Sequence, residues 1–323
     1  MEKEEPKIVN PYELSYLCEQ IKYKFNKILN TSIDQYHRKL EEQKKMEQLR
    51  VRLKRALRTC SCGNLGEKEF VKDYIKELLQ NDLGIDQSTI NEVIPFDDIT
   101  KLTVVDRFDI LLYWYKKKYG YNGLSEWILA NRFDEGVEYE DGLHYEIAKE
   151  DVTYSFMQES ISLSYPDKME IVAQRIYQSY KGHGVIDEIR DMRIDGVSGG
   201  VSGLSNLPYN YMEEVMQNTP SRIENSFRSI WIFFQGKTIH LKFLSFTNER
   251  ELERICKNIY RYNHPGQLSA VTGYKVNDLY DNSRVVVVRP PFAESWAFFV
   301  RKFDVKKANL EELIIDEGKE NVI

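Results

Sequence analysis

The sequence predicts an α+β protein: an N-terminal helical region followed by a small α/β sandwich with a mostly antiparallel sheet. Three observations predict it. Apolar residues recur at helical spacing from Pro11 to about residue 180. Beyond Gly184 the pattern changes to short β-branched and aromatic runs bounded by turn residues. One helical pattern, from Thr247 or Asn248 to about Tyr262, then sits between two hairpin patterns, the order of an α/β sandwich.

In the first region, Leu14, Leu17, Ile21, Phe25 and Ile28 mark one helix. A second, over 32–59, carries Leu49, Leu53 and Leu57 on one face. Its end is basic, with Lys44, Lys45, Arg50, Arg52, Lys54, Arg55 and Arg58. Cations suit the last turns of a helix. The run reads either as a solvated face or as a docking helix for acidic lipid headgroups or an acidic partner. Together 1–60 form a helical arm.

Residues 61–165 are expected to form a helical domain. Phe70, Val71, Tyr74, Ile75, Leu78 and Leu79 share one helix ending before Gly84. Val105, Phe108, Leu111, Leu112 and Tyr115 mark another, stopped by Gly120. A short helix over 125–132 buries Trp127 and Ile128. Residues 134–146 are acidic and turn-rich and read as a surface loop or boundary. Ser164-Tyr165-Pro166 opens a helix with Met169, Val172, Ile176 and Tyr180, closing at Gly182. No strand of five or more residues is expected before Asp187.

The sheet domain is expected over 166–305. Residues 192–198 form a short strand, and 230–234 and 238–243 pair around Gln235-Gly236-Lys237. The helix after Asn248 buries Leu252, Ile255 and Ile259, and His264-Pro265-Gly266 ends it. Residues 270–280 form a further strand. Ser283 to Val288 is almost wholly β-branched, suiting a strand buried on both faces. Pro290 and Pro291 stop it, and an aromatic strand resumes over 296–303. Cations therefore mark the ends of this hairpin: Arg284 at entry, Arg301 and Lys302 at exit.

Composition narrows the chemistry. Against 51 acidic residues stand 45 basic ones, and the net charge of −6 argues against bulk nucleic-acid binding. Cys18, Cys60, Cys62 and Cys256 are no secreted disulfide framework. The charged N-terminus MEKEEPK lacks the apolar core of a signal peptide, and no apolar run is long enough to span a bilayer. The expected location is cytoplasmic, or peripheral at the inner face of the cell membrane.

Cys60-Ser61-Cys62-Gly63 reads as a turn with ordinary thiols, since zinc needs two spaced ligand pairs and the nearest histidine is His37. The glycines of 199–203 are followed by Leu204-Ser205, not by the Lys-Ser/Thr of a phosphate-binding loop, so they read as a flexible turn. No GxxxxGK[ST] occurs anywhere, which leaves β- and γ-phosphates without a grip. The five scattered histidines suggest no nucleophilic catalytic set.

The closing hairpin resembles the "GSRV … PP … IRKF" signature in the N-terminal domain of the Tad/Cpa-type pilus-assembly ATPases, members of the type II/type IV secretion ATPase superfamily. Asp281-Asn282-Ser283-Arg284-Val285, Arg289-Pro290-Pro291 and Val300-Arg301-Lys302-Phe303 carry it. The likeness runs back to Tyr180 through Gly182-His183-Gly184-Val185-Ile186-Asp187-Glu188-Ile189 and Asp195-Gly196-Val197, which fit that family's "YGLGPLEPLL…VTEIMVNG" stretch with substitutions. The upstream part resembles the helical extensions of Firmicute members.

The resemblance implies a PAS-like domain forming one tier of a homohexameric ring. It implies that Arg284, Arg301 and Lys302 reach nucleotide held by an adjoining RecA-like ATPase domain, which holds ATP and Mg²⁺. Residues 306–323 would be a linker helix toward that domain, and this chain alone, holding neither cofactor, is expected to be inactive. Implied partners are the motor domain, neighbouring subunits and inner-membrane platform proteins of a secretion system, with no nucleic acid. The alternatives are a stand-alone interaction protein that binds other pilus components, and a small-ligand sensor with a PAS-like pocket.

Overall fold

The computed structural model describes residues 10–30, 40–139, 142–201, 228–263, 266–293 and 295–303. The helical spacings upstream become α1 (Leu14–Asn30), α2 (Leu40–Thr59), α3 (Leu65–Leu83), the single-turn α4 (Ile90–Val93), α5 (Val104–Tyr119) and α6 (Gly123–Ala130). Local signals set their ends. The Asn64 side chain accepts from the Glu67 amide to start α3, and Gly84 closes it at φ +67°. Thr103 and Asp106 form a reciprocal cap on α5, as Ser164 and Asp167 do on α8 (Tyr165–Tyr180), where Pro166 occupies the first turn.

The apolar faces of α1, α3 and α8 meet. Phe25 of α1 stacks on Tyr74 of α3 at 5.6 Å and lies 5.6 Å from Tyr180 of α8. Tyr177 of α8 donates to the carbonyl of Cys60 at 2.9 Å, tying the end of α2 to the same cluster. Phe108 of α5 packs on Trp127 of α6 and on Phe243, which joins these helices to the sheet region.

The expectation of no strand of five or more residues before Asp187 fails at 134–147. In place of a loop lie β1 (Val137–Tyr139) and the six-residue β2 (Gly142–Ile147), followed by α7 (Lys149–Gln158). The strand was hidden because β1 and most of β2 are exposed, so no period-two pattern is present. Backbone pairing holds it instead: Tyr145, Glu146 and Ile147 run parallel to Ile239, His240 and Leu241. Residues from both sides of position 165 thus share one sheet.

The other strands are β3 (Gly196–Gly199), β4 (Ile230–Phe234), β5 (Lys237–Leu241), β6 (Tyr274–Asp278), β7 (Arg284–Val288) and β8 (Ala297–Arg301). A short α9 (Asp187–Asp191) precedes β3, and α10 (Glu249–Tyr260) lies between β5 and β6. The order is β1-β2-β5-β4-β3-β8-β7-β6, antiparallel except at β2–β5. Gln235 (φ +48°) and Gly236 (φ +76°) supply the two-residue turn of the β4–β5 hairpin.

One face of the sheet is the core face, with Ile232, Ile239, Val285, Val287, Phe298 and Val300 buried. α10 covers its β7 side with Leu252, Ile255, Cys256 and Ile259, the Leu and the two Ile each contributing roughly 1.5–3 kcal/mol by burial. β7 is not buried on both faces as its composition suggested. Val285 and Val287 are buried while Val286 and Val288 are half-buried, because β-branching reports fit to a pleated sheet, not two-sided burial. The expected linker helix over 306–323 lies outside the described residues, as do positions 32–39 of the second helix.

Candidate functional site

β7 and β8 place Arg284 directly opposite Arg301. Both side chains are exposed and belong to one sheet face, with Asp278 of β6 opposite Arg284 on its other side. The Arg284 Nε lies 3.1 Å from Asp278 Oδ1. The Phe303 ring lies 5.7 Å from the Arg284 guanidinium and 5.8 Å from that of Arg301. Cation–π contact and one exposed ion pair therefore orient the pair. Among the described residues Arg301 has no carboxylate partner. The two arginines meet the expectation of exposure on one face, but Arg284 is not free of a carboxylate.

Lys302 departs from expectation. The alternation of β8 turns it inward, where it is 8% exposed. Its Nζ donates to the carbonyls of Arg190 (3.1 Å), Asp191 (3.3 Å) and Met192 (2.8 Å) at the end of α9. The ammonium closes a helix C-terminus and does not converge with the arginines.

A second charged cluster was not singled out from the sequence. Lys68 of α3 reaches Asp187 (2.6 Å), Asp191 (2.5 Å) and Glu188 (3.2 Å) of α9, all but Glu188 fully buried. Arg190 pairs with Asp191 and with Asp281 before β7, and Lys116 of α5 pairs with Glu188. Burial works against the Lys68 ammonium, but the three carboxylates outweigh it and hold its pKa well above the ordinary value. Asp187 and Glu188 are likewise held below the carboxylate range: burial opposes ionisation, and Lys68 overrides it. The acidic trio has the spacing of a metal cluster, yet the Lys68 ammonium stands among the three carboxylates. Its chemistry is that of a clamp between the helices and the sheet. Only pairing across 119 residues creates it, and no local pattern announces it.

A cavity of about 340 Å³ opens between α3, α5 and α8. Its cations are already committed: Lys72 to Glu170, Lys116 to Glu188, and Lys117 to Asp167. Cys60 and Cys62 are buried, and burial pushes the Cys60 thiol up to about 11, so these are protonated packing thiols. The Gly199-Gly200 step is a close-packed corner: a Cβ on Gly200 (φ +79°) would lie 2.1 Å from the Trp296 carbonyl oxygen. The rest of the expected turn, from residue 202, lies outside the described residues.

No helix among the described residues is long and apolar enough to cross a membrane. No protein-family model matches the chain, and no curated protein matches it.

Proposed function

We propose that this chain is the N-terminal regulatory and assembly part of a hexameric secretion ATPase that powers Tad-type pilus assembly or protein export. The observation that carries the reading is the register of Arg284 with Arg301 at one exposed strand end, with Arg301 unspent among the described residues. Guanidinium forks there suit the charge that spreads over phosphate oxygens during phosphoryl transfer. ATP and Mg²⁺ belong to an adjoining RecA-like motor domain, and this chain lends the two arginines to that nucleotide. Lys302 leaves the set, because its ammonium is spent at the end of α9. The sheet with α10 on its core face is read as the PAS-like sandwich of such proteins. Neighbouring subunits and inner-membrane platform proteins are the partners this role requires, at the cytoplasmic face of the membrane.

The test is the reading frame that encodes the chain and the enzyme it specifies. A GxxxxGK[ST] motif should follow position 323, and the full-length product should hydrolyse ATP with Mg²⁺. Residues 1–323 alone should release no phosphate above background. A frame without that motif, or magnesium-dependent turnover by 1–323 that survives repurification, overturns the reading.

A stand-alone interaction protein is the second reading. Tyr274 and Val276 on the edge strand β6, both more than half exposed, favour it. A frame lacking the motor would leave this one standing.

A further inference from the structure

We propose that the solvent-facing side of α2 docks on an anionic lipid surface. α2 buries Leu53 and Ala56 on one side. On the other it exposes Lys44, Val51, Lys54, Arg55 and Arg58, with Glu41 as an acidic residue at the start. From Lys44 to Arg58 this face runs about 21 Å along the helix.

The cations divide by what they already hold. Arg52 pairs with Glu67 and lies 4.1 Å over the Phe70 ring, Arg50 pairs with Glu47, and Arg55 lies 3.3 Å from Glu67. These fasten α2 to α3 and to itself. Lys44, Lys45, Lys54 and Arg58 have no carboxylate partner among the described residues. Lys44, Lys54 and Arg58 share one face, and three unspent cations there, in a chain of net charge −6, are a local concentration and not a reflection of composition.

The shape selects the ligand. The row is convex and spread along a helix, so its ammonium and guanidinium groups do not converge on one phosphate as a discrete anion requires. A sheet of anionic headgroups matches it, because there the opposing charge is distributed over a plane. Val51, 60% exposed in the middle of the row, is out of place against phosphates or a polar partner but at home at the headgroup boundary. The long stems of Lys and Arg can lie along that boundary with their charges in water. This inference uses no residue of the arginine site and stands without the ATPase reading.

The experiment is co-sedimentation of the whole chain with vesicles of phosphatidylcholine alone, or with about 30% phosphatidylserine added. Binding is expected to the anionic vesicles only, and to weaken at least about tenfold as salt rises from roughly 0.1 to 0.5 M. The triple variant Lys44→Gln, Lys54→Gln, Arg58→Gln should bind about tenfold or more weakly with its melting temperature unchanged. A control triple with the same charge change elsewhere, Lys101→Gln, Lys118→Gln, Lys149→Gln, should bind within about twofold of wild type. The proposal is overturned by absent binding, by equal binding to neutral vesicles, or by equal losses in the two triples. It is also overturned if duplex DNA or a polyglutamate chain displaces the vesicles at equal charge concentration, since α2 would then prefer another polyanion.

Discussion

Arg284 and Arg301 face each other across the β7–β8 ladder, and the ring of Phe303 lies within 6 Å of both guanidinium groups. Like charges directly opposite on a sheet face repel, and the one acid paired with them among the described residues, Asp278, sits on the Arg284 side. The arrangement contributes little to the stability of the free chain, and a bound anion would relieve the repulsion.

Arg301→Ala should therefore leave folding unchanged to within about 0.5 kcal/mol, as expected of an exposed side chain. In the full-length ATPase the same change should lower turnover about 10- to 1000-fold, the usual loss for one charge-stabilising donor. Arg301→Lys should not restore full activity, because an ammonium lacks the planar fork. Turnover and melting temperature measured on the same preparations decide the matter. Unchanged turnover, or a loss accounted for by unfolding, returns Arg301 to an ordinary surface cation.

The next residue should behave in the opposite way. Lys302→Ala removes the donor that three carbonyls at the end of α9 accept from, and opens a gap beneath β8. Hydrogen bonds to a charged group contribute roughly 1.5–3 kcal/mol each when lost from a buried site, with some relief from water entry. Urea denaturation should show a loss of at least about 2 kcal/mol. A midpoint equal to that of Arg301→Ala would show that Lys302 is not structural.

Lys68→Met tests the clamp. It leaves Asp187 and Asp191 buried with one ammonium fewer, and breaking a buried ionic cluster by removing one partner costs about 3–5 kcal/mol. Lys76→Met, whose lysine pairs with Asp73 and Glu170 nearer the surface, should cost under about 1 kcal/mol. Equal costs for the two would mean that the cluster at α9 is not specially buried.

The legible and illegible parts of this fold differ by range. The close of α3 at Gly84 and the opening of α8 at Ser164 were readable because those residues act within a few positions of themselves, whereas the caps at Asn64 and Thr103 were not singled out. The β4–β5 and β7–β8 hairpins were readable from their turns and aromatic or β-branched runs. β2 was not, since β1 and most of β2 are exposed and the ladder that joins β2 to the rest of the sheet is with β5, almost a hundred residues away. For the same reason Arg301 and Lys302 looked alike: one step along a strand reverses the face, and the sequence motif does not say which face is wet. The cluster of Lys68 with Asp187, Glu188 and Asp191 needed α3 and α9 to be docked before it could be seen.

Acid should destabilise the chain in two stages, and the first belongs to histidine. His183 is buried, its Nε2 without a hydrogen-bond partner among the described residues. Burial disfavours the imidazolium, and although Asp187 works the other way the pKa is lowered from 6.5 to about 4. Burial, with help from Lys242, lowers His240 to about 4 as well. In the unfolded chain both imidazoles take up a proton near pH 6.5, while in the folded chain they do not until about pH 4. Between those values the unfolded state binds more protons, so stability falls as pH drops from 6.5 to 4. Asp187 and Glu188 act later. Their folded values lie below those of free carboxyls, so their contribution is complete above about pH 5 and is lost as pH falls further, through those lowered values. Melting temperature against pH for wild type and His183→Gln separates the stages. The variant should show a shallower decline from pH 6.5 to 4.5 and keep the steeper fall below pH 4. If its decline in the upper window parallels that of wild type, His183 is not the neutral buried group that the packing around Asp187 makes it.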